Sequence, residues 1–238
     1  MRKIILEPPF FEIGPKNYLF GDQIMDLARI ADEAAAKYDV RVIFTTPYAN
    51  IERVAASVIN LKVFAPHMDD IPVGRGLACV LGESLKAAGA LGVMLNHAER
   101  PLASSTLVRT LARARELELM TIVCADSMAE TRAVAQLAPN LMITEPTELI
   151  GTGQACDRLY VRQSFDAVME INPNIGVLVG GGISSGEDVY RTILAGADAT
   201  GSSSGIVKAA DPGAMVNEML SALRQAWDER MALSGGIW

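Results

Sequence analysis

A (β/α)₈ barrel is the architecture this sequence predicts, and three observations predict it. The 238 residues, half of them hydrophobic, can bury a large core and fit one α/β barrel or two small domains. Short continuous apolar runs, the mark of strands buried on both faces, alternate with segments of helical apolar spacing. About eight such units follow one another without a linker or low-complexity segment, which favours a closed parallel sheet ringed by helices, one domain over residues 1–238.

Phe10-Phe-Glu-Ile-Gly14 reads as the first strand, with Lys16 just past its carboxyl end. From Asp22, a good N-cap, Ile24, Leu27, Ile30, Ala31 and Ala34 recur at helical spacing and predict a helix to about Lys37. Arg41–Thr45 is the next strand, 49–57 a short helix and Lys62–Ala65 the third strand, followed by the long loop Pro66–Gly76. A helix over about 77–88, strand Gly92–Asn96, an Arg-rich helix over 105–117 and strand Met120–Ala125 continue the alternation. Those arginines read as a solvated outer face. Helix 127–137 and strand Leu141–Thr144 deliver Glu145. A helix over 161–170, strand Gly176–Val179, a helix over 187–194, the weakly marked strand Ala197–Gly201, a helical turn over 204–207 and a last helix over 212–231 complete the count. The tail, residues 232–238, is expected to be loose unless Trp238 docks on a neighbouring subunit.

A net charge of −7 argues against general binding to nucleic acid or to an anionic membrane surface. Cys79, Cys124 and Cys156 lie far apart without metal-ligand spacing, which suggests reduced thiols and a cytoplasmic protein, with Cys124 a small apolar filler. With His67 and His97 as the two histidines, no zinc cluster is expected. The sequence has neither an apolar run long enough to span a bilayer nor a recognisable signal peptide at Met1.

The chemistry concentrates where apolar runs end. Ile143-Thr-Glu-Pro-Thr-Glu-Leu-Ile-Gly-Thr-Gly153 joins a strand to a carboxylate and then to a glycine-bracketed loop able to close as a lid. Alone, a Glu before Pro at a strand end is more often a solvated loop residue. Yet Gly92–Asn96 ends in His97, and Val177-Leu-Val-Gly-Gly-Gly-Ile-Ser-Ser-Gly-Glu-Asp188 opens into a glycine-rich turn. Leu95-Asn-His-Ala-Glu99, Glu145–Gly153, Gly180–Asp188 and Ser204-Gly-Ile-Val-Lys-Ala209, in this order, resemble triosephosphate isomerase, most closely its short archaeal form, over about residues 10–223.

That resemblance implies a TIM barrel and a cofactor-free, metal-free isomerase acting on a small phosphorylated sugar. It implies Glu145 as the base, His97 as the electrophile, Lys16 as a fixed cation and Glu99 as its partner. It also implies Gly151 on the lid, Gly181, Gly182 and Ser184 after the seventh strand, and Ser204 and Gly205 after the eighth, as phosphate-binding positions. By the same resemblance the loop over 66–76 helps form a subunit interface, so a homo-oligomer, dimer or tetramer, is expected and His67 is structural. The chain departs from the family twice: Gly14 stands where Asn is usual and Ala98 where Ser is usual. Gly14 leaves room for a tetrulose or pentulose phosphate as an alternative substrate. Together the two losses also admit a phosphate-binding barrel without catalysis.

Overall fold

The computed structural model describes residues 5–233. Its strands are β1 (Phe10–Ile13), β2 (Arg41–Thr45), β3 (Leu61–Ala65), β4 (Gly92–Leu95), β5 (Met120–Ala125), β6 (Leu141–Thr144), β7 (Gly176–Val179) and β8 (Ala199–Ser202). Each pairs in parallel with the next, and β1 pairs with β8 from Phe10↔Ala199 to Ile13↔Ser202, which closes the barrel. The helices between them are α1 (Asp22–Tyr38), α2 (Ile51–Ala55), α3 (Gly82–Ala87), α4 (Ser104–Glu116), α5 (Met128–Ala135), α6 (Arg158–Met169) and α7 (Gly186–Leu194). After β8 come the single turn α8 (Ser204–Val207) and the long α9 (Pro212–Leu233).

Alternation along each strand divides the core in two. Phe10, Ile43, Phe64, Ile122, Cys124, Leu141 and Leu178 pack together inside the sheet. Phe11, Ile13, Val42, Phe44, Val123 and Val177 face the helices, as the period of two requires. Cys124 is a buried filler of the inner core, and Cys79 and Cys156 are free thiols.

The differences from the sequence reading lie at helix ends. Asp22 is not the cap of α1: Gly21 holds that position without a side-chain bond, and Asp22 lies in the first turn. The helix expected over 77–88 begins only at Gly82. Its first residues are held elsewhere, because Asp69 accepts from the Val80 N–H at 2.7 Å and donates its own N–H to the Val80 carbonyl at 3.0 Å. Helix α6 starts earlier than expected, at Arg158, because Asp157 caps it by accepting from Tyr160 N–H at 2.7 Å. Ala232 and Leu233 extend α9, whereas Trp238 and the rest of the expected tail lie outside the described residues.

Candidate active site

The sequence-predicted residues stand at the carboxyl ends of the strands, where this architecture gathers its functional groups. Glu145 directly follows β6, His97 lies two residues past β4 and Lys16 three past β1. Lys16, His97, Glu99, Glu145, Gly151, Gly181, Gly182 and Ser204 line one cavity of about 550 Å³. Ser184 and Gly205 do not line it. The Ser184 N–H and hydroxyl both engage Asp188 Oδ2 at 3.1 Å, so its donors are occupied. Gly205 sits where a Cβ would come within 2.4 Å of the Ile183 carbonyl oxygen, so its absent side chain lets the α8 turn approach the loop after β7.

His97 and Glu145 face each other, Nε2 to Oε1, at 3.6 Å. Their side chains are 15% and 14% exposed, which leaves them open to a ligand and little else. The Glu99 backbone N–H donates to His97 Nδ1 at 3.1 Å. A ring nitrogen that accepts carries no proton, so this bond assigns the proton of the neutral ring to Nε2, on the cavity side. Burial lowers the His97 pKa, the Lys16 charge lowers it further, and Glu99 opposes both. The imidazole is therefore neutral near pH 7.

Burial raises the Glu145 pKa; Lys16 pulls it back and Glu99 adds to the rise. The Glu145 N–H is tied to the Ala125 carbonyl at 3.0 Å, so its backbone belongs to the barrel rim. A Cβ on Gly180 would come within 3.1 Å of Glu145 Oε2, so the glycine leaves the carboxylate its place. Lys16 Nζ meets Glu99 Oε1 at 2.5 Å, and this bond, with the charge behind it, depresses the Glu99 pKa. The cation is thus held at the mouth by a carboxylate from the β4 loop.

Past Pro146, a 3₁₀ turn over Thr147–Leu149 leads to the loop tip, where Gly151 and Gly153 take φ of 76° and 74°. The loop is braced by Thr152, whose hydroxyl donates to the Leu149 carbonyl at 2.8 Å and accepts from Gln154 N–H at 3.1 Å. Gln154 then lies against Gly182.

Several cavity residues were not singled out from the sequence, Ser203 and Glu12 among them. Ser203 has a buried Oγ without a hydrogen-bond partner, and the Ser202-Ser203-Ser204 run before Gly205 was its available signal. Glu12 lines the cavity floor and has an unpartnered Oε1. His67 is buried against Asp69, Nε2 to Oδ1 at 3.1 Å, and lines the same cavity as His97 and Glu145. Among the described residues no group of three His, Cys, Asp or Glu side chains is placed to hold a metal ion, and no helix is long and apolar enough to cross a membrane.

The triosephosphate isomerase family model matches residues 16–219. The triosephosphate isomerase of Saccharolobus solfataricus is 34% identical, with 92% of this chain and 98% of that protein covered. That of Methanosarcina mazei is 36% identical, with coverage of 89% and 97%. The crystal structure of triosephosphate isomerase from Bartonella henselae superposes with a TM-score of 0.75 at 12% identity, over 91% of this chain and 98% of that one, a likeness of fold. With a model match across most of its length and archaeal relatives aligned nearly end to end, the chain belongs to the triosephosphate isomerase family.

Proposed function

We propose that this cavity interconverts dihydroxyacetone phosphate and glyceraldehyde 3-phosphate by moving a proton between adjacent carbons through an enediolate. Glu145 is the base, and its raised pKa makes its carboxylate a stronger one once the lid excludes water. The His97 Nε2–H donates to the carbonyl oxygen and follows the negative charge as it develops. Triosephosphate isomerases are themselves the type case of a Glu base beside a neutral imidazole. Here the observation that carries the reading is the pairing of Glu145 with a ring whose other nitrogen already accepts from Glu99 N–H.

Lys16 draws the substrate's phosphate and steadies the enediolate, and Glu99 keeps the ammonium in place. Gly151, Gly181, Gly182 and Ser204 offer backbone donors to the phosphate from the lid and from the turns after β7 and β8. Ser184 and Gly205 support that cradle from behind, and Ser184 N–H reaches a phosphate only if Asp188 releases it. A proton shuttle between two carbons needs no redox partner and so no cofactor. A tetrulose or pentulose phosphate is disfavoured, since the space left by Gly14 is filled by the Glu12 carboxyl: a Cβ on Gly14 would lie 2.9 Å from Glu12 Oε1. The close approach of His97 to Glu145 favours catalysis over mere phosphate binding. The protein works in the cytoplasm as a homo-oligomer, a reading supported by its free thiols and by the exposed apolar Val73 and Leu77 on the loop after β3.

A coupled assay with the triose pair tests the reaction. Glu145→Gln keeps the size of the side chain and removes the base, so turnover should fall about 10²–10⁴-fold while inorganic phosphate still binds. Unchanged product formation in that variant would remove Glu145 from the mechanism.

A further inference from the structure

Glu12 is a buried acid that the reaction above does not use. It continues the inward register of Phe10 along β1, is 8% exposed, and lines the same cavity as His97 and Glu145. Its Oε1 and Oγ1 of the adjacent Thr45 make no hydrogen bond of normal length, although the Thr45 hydroxyl stands near enough to act weakly on the carboxyl. The backbone around it is shaped to admit it. A Cβ on Gly14 would stand 2.9 Å from Glu12 Oε1, and one on Gly201 would stand 2.7 Å from the Glu12 carbonyl oxygen and 2.9 Å from its Cβ. Gly14, one residue past the end of β1, and Gly201, on the adjoining β8, thus open the niche that the carboxyl occupies. The departure at Gly14 removes one polar side chain from the floor and admits another.

Resting on the proposed isomerase reading, we propose that Glu12 donates a hydrogen bond from its unpartnered carboxyl oxygen to a hydroxyl or carbonyl oxygen of the bound sugar phosphate. A buried polar atom without a partner is costly, and a ligand oxygen at the cavity floor satisfies it. Donation requires the acid form, and the surroundings favour it. Burial is the largest cause lifting the Glu12 pKa, to about 7; Thr45 and the Lys16 charge oppose the rise, and the Glu145 charge adds to it. The neighbouring strands bring no counter-charge: β2 presents Thr45, and β8 presents Gly201 and Ser202. The Cys124 thiol on β5 is itself pushed well up by burial and stays neutral. With Glu12 carrying the proton, Glu145 keeps its own charge for abstraction, so two carboxyls in one cavity divide two roles.

The test compares the parent protein with Glu12→Gln, which can still donate, and Glu12→Leu, which cannot. Binding of glycerol 3-phosphate at pH 6 should weaken about tenfold in Glu12→Leu and stay within about threefold in Glu12→Gln. Inorganic phosphate, which lacks carbon-borne hydroxyls, should bind all three alike. For turnover, the parent kcat/KM should decline as pH rises through 7, and Glu12→Gln should lose that decline. Equal weakening for both ligands, no weakening for either, or an unchanged pH profile in Glu12→Gln would overturn the proposal. Absence of triose turnover in the parent would refute the isomerase reading instead, and the two-ligand comparison would still decide Glu12.

Discussion

A carboxyl whose folded-state pKa stands near 7 against an ordinary 4.5 holds its proton more tightly in the folded chain than in the unfolded one. Its contribution to stability is therefore complete below pH 4.5 and is lost as pH rises through about 7. His67 and His97 run the other way. Burial lowers both pKa values from 6.5, so the stability they contribute is present above that pH and lost on acidification. Glu12→Gln removes the first trend and leaves the second. The variant should match the parent near pH 4 and exceed it by as much as about 3 kcal/mol at pH 8, as read by urea denaturation. A parent whose stability margin over the variant is the same at both pH values would mean that Glu12 is ionised in the folded protein. Glu145, His97 and Lys16 were legible through the family resemblance, each placed just after an apolar run. Glu12 was hidden inside such a run, although a charged residue two positions after Phe10, in inward register, was the signal.

At the scale of elements, strand positions and most helix starts were legible, but the starts of α3 and α6 were not. A buried parallel strand writes itself as consecutive apolar residues, whereas the start of a helix depends on which side chain captures the first free N–H groups. Asp69 holds Val80 and delays α3; Asp157 caps and advances α6. The lid depends on a comparable local fit. Gly182 has a φ of 71°, and a Cβ there would lie 2.0 Å from the Gln154 carbonyl oxygen and 2.4 Å from its carbon. Those atoms are backbone, so Gly182→Ala displaces the lid rather than a flexible side chain. A shift of roughly 1 Å in a positioning loop costs on the order of 10²-fold in rate. Gly182→Ala should therefore lower kcat/KM by about that factor, with faster hydrogen exchange at residues 149–154. Parent-like kinetics in the variant would show that the lid does not need this contact.

For the whole molecule, closure was expected from the count of about eight units, while the register that closes it, β1–β8 pairing of Phe10 with Ala199 across most of the chain, was not written in either strand. The eighth strand was also the most weakly marked, and the structure gives a reason: Gly201 must lack a side chain to pass the Glu12 backbone and Cβ, so β8 cannot carry a full apolar run. Closure leaves no sheet edge, so association must use the outer helices or the loops. The segment between β3 and α3 is suited to it. Asp69 fixes its base through His67 and Val80, while Val73 and Leu77 project at 70% and 101% exposure. Apolar tips on a loop anchored at its base bury surface on a second copy at little entropic cost. Leu77→Asp should therefore leave the isolated barrel stable, since the side chain touches little within its own chain, but would bury an unpaired charge in an interface. Light scattering should find the parent at a multiple of 25.4 kDa and the variant shifted toward 25.4 kDa itself. If the parent already runs at the single-chain mass at micromolar concentration, the loop is not an interface and the exposed leucine needs another explanation.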